Sequence, residues 1–124
     1  MSTGTTDISF TVLGEPCSKA NSRRIVKFGS RPASIKSKKA LSFEAAFHLQ
    51  CPQLDILIED DVRVTITIYY ASRRPDLDES IILDSMQTHI YKNDRQVKEK
   101  HIFWGLDAIN PRSEIRVESL GRKG

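Results

Sequence analysis

The chain has 124 residues, of which 39% are hydrophobic and 28% are charged, and its formal net charge is +3. This length and composition predict one soluble domain with its own core, and the sequence contains no apolar run near the roughly 18 residues that span a membrane. The first residues lack a basic start and a long apolar stretch, so we expect no secretion signal and a cytoplasmic location. We expect a single domain over residues 1–124, with flexible tails at 1–7 and 121–124.

Alternating apolar residues predict the strands. The first strand contains Ile8, Phe10 and Val12, and residues 25–28 predict a strand or a hairpin arm that is followed by a turn at 29–32. The clearest strand covers residues 62–70, in which every second residue is apolar. Residues 96–104 and 114–119 predict two further strands.

Two helices interrupt these strands. The first is expected to begin near Ser37, a favourable N-cap residue, and to end before Pro52. The second is expected over residues 79–89, with Asp84 opposite its apolar stripe and either facing water or facing a site. Helices that interrupt a strand-rich pattern predict an α+β fold, with two main helices packed on a mixed β-sheet.

The basic residues are concentrated in one segment. Residues 19–39 contain eight Lys or Arg and no Asp or Glu. A single-sign run of this kind either binds a polyanion or forms a solvated loop. Its candidate DNA contacts are Lys19, Arg23, Arg24, Lys27 and Lys36.

An acidic cluster follows the clearest strand. Asp76 and Asp78 are one residue apart, so in an extended segment both carboxylates point to the same side. Carboxylate oxygens favour Mg²⁺ or Mn²⁺ over soft-ligand metals, although a pair this short also occurs in ordinary solvated turns. Asp94 follows the second helix and reaches the pair only if the chain folds back, because a helix of about 11 residues is roughly 16 Å long.

Three longer motifs are more specific than the acid pair alone. They are Arg73-Arg74-Pro75-Asp76-Leu77-Asp78, then Ile82-Leu83-Asp84-Ser85-Met86, then Tyr91-Lys92-Asn93-Asp94-Arg95-Gln96-Val97. Over residues 73–97 this pattern resembles the RusA-like endodeoxyribonucleases, which are Holliday-junction resolvases of phages and prophages. The resemblance implies a homodimer that makes paired nicks in branched DNA during recombination and repair, with Mg²⁺ as cofactor and Mn²⁺ as a substitute.

The resemblance also implies roles for individual residues. Asp76 and Asp78 match the family's paired acids, and Asp94 matches the second aspartate of its D-D pair; these three are the candidate catalytic and metal-binding residues. Arg74 matches the basic residue before the pair, which contacts phosphate. Arg73 and Arg95 are further candidate DNA contacts.

Two departures from the family pattern affect the site. Asn93 replaces the first aspartate of the D-D pair, and no lysine follows Asp78 within one helical turn, where the family has one. The candidates for the missing lysine are Lys92, Lys98 and Lys100. Glu79 either joins the metal ligands or is an acid favoured by the dipole of the second helix.

Two other functions are compatible with the residues. The chain could be a DNA-binding module that keeps the fold and binds branched DNA without cutting it, as the two departures suggest. It could also be an unrelated interaction protein, or an enzyme that acts on RNA or nucleotides. The two cysteines are read as buried reduced thiols, and the three histidines lack metal-ligand spacing.

Overall fold

The computed structural model describes residues 7–17, 23–29 and 31–121. Along the chain the elements are β1 (Asp7–Leu13), β2 (Arg23–Phe28), β3 (Arg31–Lys36), α1 (Lys38–Gln50), β4 (Val62–Tyr70), α2 (Ser80–Met86), a 3₁₀ turn (Asp94–Gln96), β5 (Val97–Leu106) and β6 (Arg112–Ser119). Neither α-helix in this described part has the length and apolar content needed to span a membrane. The tails predicted at 1–7 and 121–124 lie mostly outside the described residues.

Four strands form a mixed sheet in the order β1-β6-β4-β5, and β2 pairs with β3 in a separate hairpin. β4 and β5 are parallel, whereas the other neighbours are antiparallel. α2 lies in the crossover between the two parallel strands, as a parallel pair requires. The predicted α+β fold, with two helices and a mixed sheet, is confirmed.

One face of the sheet forms the core. Along β4, residues 62, 64, 66, 68 and 70 are buried and the intervening residues are half-buried, as the alternation predicted. Phe43 and Phe47 of α1 are buried in the same core, and the Phe47 ring meets Phe10 of β1 edge to face at 6.1 Å. α1 therefore covers this face.

The predicted bounds of α1 are confirmed. Ser37 caps the helix, because its side chain accepts a hydrogen bond from the Ala40 N–H at 3.2 Å. At the other end the Cys51 N–H donates to the Phe47 carbonyl at 2.7 Å, and Pro52 follows. The predicted hairpin arm is also present as β2, although its turn is shorter than expected, because Arg31 and Pro32 already pair with β2.

α2 is shorter than predicted. It ends at Met86, and not at His89, because Thr88 adopts a left-handed conformation with φ of 68°. The Ile90 N–H still donates to the Met86 carbonyl at 2.9 Å, and Ile90 is buried. The apolar stripe thus continues into the core through a turn rather than through a helix.

Candidate active site

The acid pair, Asp76 and Asp78, lies in the loop between β4 and α2. Tyr70, the last residue of β4, is buried, and its hydroxyl contacts the loop twice. The hydroxyl donates to the Asp76 carbonyl at 3.1 Å and accepts from the Asp78 N–H at 3.2 Å. The backbone on both sides of Leu77 is therefore fixed to the end of β4.

The two carboxylates of the pair differ in their surroundings. Asp76 is exposed, whereas Asp78 is half-buried. The Asp78 Oδ1 accepts hydrogen bonds from the Ser80 N–H at 2.9 Å and from the Ser80 hydroxyl at 2.5 Å. Asp78 thus forms an Asx turn with Ser80, the first residue of α2, whose N-cap residue Glu79 makes no side-chain capping bond.

Two more acids approach the same hydroxyl. The pKa of Tyr70 is raised, first by burial and also by the negative charges of Asp78, Glu15 and Glu79, while the Asp78 N–H lowers it. Glu15 reaches the loop from the segment after β1, and its Oε2 accepts from the Ala71 N–H at 3.3 Å. Negative charge from one distant segment, through Glu15, therefore adds to that of the acid loop and of Glu79 beside it.

A lysine accompanies these acids. The Lys100 Nζ lies 2.8 Å from the Glu79 Oε2. This ion pair joins β5 to the start of α2. Of the other two candidate lysines, Lys92 pairs with Glu59 at 2.7 Å and Lys98 is exposed. Lys100 is therefore the candidate that the fold brings next to the acid pair.

Asp94 lies at the opposite end of α2 from Asp78. Its N–H donates to the Gln87 Oε1 at 3.1 Å, and the Gln87 Nε2 donates to the Asp84 Oδ1 at 2.9 Å. Because α2 has 7 residues, about 10 Å of helix separates the two ends. Within residues 7–17, 23–29 and 31–121, no three His, Cys, Asp or Glu side chains are grouped so that they could hold a metal ion. The metal role of Asp94 stays a prediction.

Asn93 has a structural role in the turn that holds Asp94. Its side chain accepts from the Arg95 N–H at 2.9 Å, and its own N–H donates to the Gln96 Oε1 at 3.0 Å. Gln96 also donates to the carbonyls of Ile58 at 2.7 Å and Asp60 at 2.9 Å. These bonds fix the turn to the segment before β4. They also give the Asn93 amide a structural role, because its oxygen caps the turn.

The candidate DNA contacts fall into two groups. Arg73, Arg74 and Arg95 are exposed, the first two in the loop that carries the acid pair. Lys36, at the end of the β2–β3 hairpin, instead pairs with Glu44 at 2.5 Å and Asp84 at 3.6 Å. Lys19 lies outside the described residues, as do the side chains of Arg23, Arg24 and Lys27, although their backbone forms part of β2.

The acid pair has the ligand chemistry that magnesium prefers. Mg²⁺ prefers oxygen ligands, and proteins usually bind it through one or two carboxylates together with water and substrate phosphate. Asp76 and Asp78 provide two such carboxylates, separated by one residue on a loop that Tyr70 holds in place. The acid pair therefore suits an ion whose coordination is completed by a DNA phosphate.

The sequence matches the family model of the endodeoxyribonuclease RusA over residues 14–118. The chain belongs to this family. The match contains the acid loop, the 3₁₀ turn with Asp94, and Lys100. RusA proteins are endonucleases that resolve Holliday junctions, they act on branched DNA, and they typically depend on a divalent metal ion. None of the curated proteins matches the sequence significantly.

Three residues of the site were not identified from the sequence. Tyr70 was predicted only as a strand residue, and Trp104, whose ring stacks on Tyr70 at 6.2 Å, only as part of an apolar run. Glu15 carried no signal, because its contact with the acid loop joins segments 56 residues apart. An aromatic residue at the end of the strand before the acid pair is the one sequence feature that points to Tyr70.

Proposed function

We propose that this protein is a Mg²⁺-dependent, structure-selective endonuclease that resolves four-way junctions and related branched DNA by paired symmetric nicks, in recombination and repair of phage or prophage DNA. Membership in the RusA family supports the class of reaction. The observation that carries the assignment of the site is the double hydrogen bond of the Tyr70 hydroxyl to the loop of Asp76 and Asp78. This bond presents two carboxylates on a fixed backbone, as a metal-dependent nuclease requires.

In this proposal Asp76 and Asp78 hold Mg²⁺, with Mn²⁺ as a substitute. When bound, the ion supplies an activated water and neutralises charge on the attacked phosphate. The Asp78 Oδ1 accepts from the Ser80 N–H and hydroxyl, which fixes the orientation of this carboxylate. Glu79 stands next in the chain, and Asp94 is the third catalytic acid proposed on family grounds.

We assign the missing lysine to Lys100. Its ammonium is half-exposed and reaches Glu79, the residue after Asp78. A cation at this position can stabilise the negative charge that develops on the phosphate oxygens during cleavage. The residue one turn after Asp78 is Ile82, which is fully buried, so a side chain there faces the core and not the DNA.

Contacts to phosphate are proposed for the exposed arginines and for the basic hairpin. Arg73 and Arg74 precede the acid pair directly, so a phosphate at the pair lies within reach of them. Such contacts hold DNA by charge and shape rather than by base sequence, and they weaken as salt rises. Symmetric nicks in two strands need two sites, which a twofold homodimer provides.

The test is cleavage of an end-labelled four-way junction with Mg²⁺ by the wild type and by Asp76→Asn. We expect paired symmetric nicks from the wild type and a loss of more than about 100-fold in the variant, because several kcal/mol of charge stabilisation depend on the ion. Junction binding should survive in the variant. Asp55→Asn, which removes an exposed acid from the loop before β4, should cleave like the wild type. Equal cleavage by wild type and Asp76→Asn would refute the proposed role.

A second function remains open on specific observations. Asn93 replaces an acid, and the residue one turn after Asp78 is the buried Ile82. A protein that binds four-way junctions but makes no Mg²⁺-dependent nick would be a non-catalytic branched-DNA-binding module with the same fold. Binding and cleavage must therefore be measured separately on the wild type.

A further inference from the structure

Trp104 is the single tryptophan of the chain and lies on β5, at one edge of the four-stranded sheet. Its partner in the parallel register is Ile68, which is buried on the face that the helices cover. Trp104 nevertheless remains 37% exposed. A large, partly exposed aromatic ring at a sheet edge is available to a ligand.

The indole of Trp104 is connected to the acid pair through the side chain of Tyr70. Its ring stacks on the Tyr70 ring with centroids 6.2 Å apart and planes inclined by 28°. The hydroxyl of that same Tyr70 holds the backbone of Asp76 and Asp78. One residue therefore links the exposed indole to the two carboxylates that we propose bind the metal.

The same edge of β5 combines apolar surface with positive charge. Side chains of a strand alternate between the two faces of the sheet, so residues 100 and 104 share a face. Lys100 contributes the ammonium that pairs with Glu79, and Leu106, two residues after Trp104, is 44% exposed. The two residues are four positions apart, about 13 Å along the strand, and an aromatic ring and a cation on one face are the groups that proteins use to bind bases and phosphates of one strand.

We propose that Trp104 is a binding site for a nucleobase that leaves its pair at the branch point of the DNA and stacks on the indole, while its neighbouring phosphate lies at the acid pair. This inference rests on the proposed nuclease function and adds the element that selects the branch. Bases within a duplex are already stacked on both sides, whereas a base at a branch point can leave its stack at lower cost. Stacking on Trp104 therefore favours branched DNA over linear duplex without reading the sequence.

The single tryptophan makes the stacking directly observable. The wild type, in EDTA to prevent cleavage, is titrated with a four-way junction and with a linear duplex of the same arm sequence, while binding is measured in parallel by gel shift. We expect saturable quenching of the indole fluorescence by the junction, and at most weak quenching by the duplex at equal bound fraction. Unchanged fluorescence at saturating junction would overturn the proposal.

Matched variants test the same point by affinity. Trp104→Leu should weaken junction binding by roughly tenfold or more, and Trp104→Phe should restore most of it. Phe103→Leu is the control, because Phe103 is a 52% exposed aromatic that pairs with Thr67 on the opposite face of the sheet. If Trp104→Leu and Phe103→Leu bind the junction equally well, the proposal is wrong. Thermal melts of all three variants show whether each is folded. If Trp104→Leu does not fold, the quenching of the wild-type indole by the junction decides whether the proposal stands.

Three further outcomes separate this inference from the function on which it rests or overturn it. A wild type that binds and nicks the junction, but whose indole does not respond, keeps the proposed function and overturns only the stacking site. A wild type that binds no junction overturns both. An indole signal that changes with protein concentration in the absence of DNA would place Trp104 in a contact between copies of the chain, and would also overturn the proposal.

Discussion

Tyr70→Phe removes one oxygen atom from the centre of the candidate site. The ring of Tyr70 is 2% exposed and stacks with Trp104, and phenylalanine keeps both the packing and the stacking. What is lost is the pair of hydrogen bonds that joins the end of β4 to the Asp76 carbonyl and the Asp78 N–H. The variant therefore tests whether the position of the acid pair depends on this hydroxyl.

The size of the effect follows from the two bonds. A neutral hydrogen bond contributes a net 0.5–1.5 kcal/mol, so the loss of two costs about 2 kcal/mol. If the whole loss falls on the conformation that binds metal, Mg²⁺ affinity decreases roughly 30-fold, since about 1.4 kcal/mol corresponds to a factor of ten. Water can replace part of the loss in this half-exposed loop, so we expect a 10- to 30-fold increase in the Mg²⁺ concentration needed for half-maximal cleavage.

The pH dependence has a defined sign. Burial, together with the acids around it, raises the pKa of Tyr70 above its usual value near 10, so the hydroxyl stays protonated in the folded protein at every pH below that value. The bond that the hydroxyl donates to the Asp76 carbonyl is therefore present from acidic to mildly alkaline pH and is lost only as pH rises through the raised pKa, whereas the oxygen accepts from the Asp78 N–H in both protonation states. Wild type and Tyr70→Phe should show parallel pH profiles of cleavage up to about pH 9.

The assay is single-turnover cleavage of a four-way junction over a range of Mg²⁺ concentrations, with urea unfolding measured beside it. Tyr69→Phe is the control, because Tyr69 is the neighbouring residue on the opposite face, where its ring lies 4.0 Å from the Arg112 guanidinium. The control should keep the Mg²⁺ dependence of the wild type. A lower stability in urea would show that the two hydrogen bonds have been lost. If Tyr70→Phe then requires no more Mg²⁺ for cleavage than the wild type, the position of the acid pair does not depend on the hydroxyl and the reasoning fails.

Two further predictions concern the charges around the pair. Lys100→Gln should lower the single-turnover rate about 100-fold at saturating Mg²⁺, as expected for a group that stabilises developing charge. The control Lys98→Gln should cleave like the wild type, and equal rates for Lys100→Gln and the wild type would contradict the assignment of Lys100. Asp94→Asn should lose cleavage, as expected for the third catalytic acid, but should keep the Mn²⁺ affinity of the DNA-free protein, measured by calorimetry, within about threefold of the wild type, because α2 separates Asp94 from the pair in the absence of DNA. Weakening as large as in Asp76→Asn would show instead that Asp94 binds the ion.

Local patterns predicted most of the fold. The bounds of β4 follow from its strict alternation, and those of α1 follow from the Ser37 cap and from Pro52. The end of α2 was missed because helix-compatible residues continue past Met86, while tertiary contacts turn the chain at Thr88. Propensity is a weak guide at such a point, since burial of Ile90 decides the path of the backbone.

The candidate site was predictable only where its residues are neighbours in sequence. Asp76 and Asp78 are one residue apart, so the pair was visible at once. Glu15 and Lys100 reach the same loop from other segments, through contacts that the strand order and the parallel pairing of β4 with β5 create. Sequence spacing carries no information on such pairings, and three lysines therefore remained equivalent until the structure separated them.

The proposed replacement of the family's helix lysine by Lys100 of β5 is consistent with the packing. The first turn of α2 uses Ile81 and Ile82 to cover the sheet, and both are buried, so a lysine at position 82 would remove apolar surface from the core. β5 runs beside this turn, and Lys100 reaches Glu79 without disturbing it. Because the acid loop is held by Tyr70 and not by α2 alone, the positive charge can come from a different element while the acids keep their place.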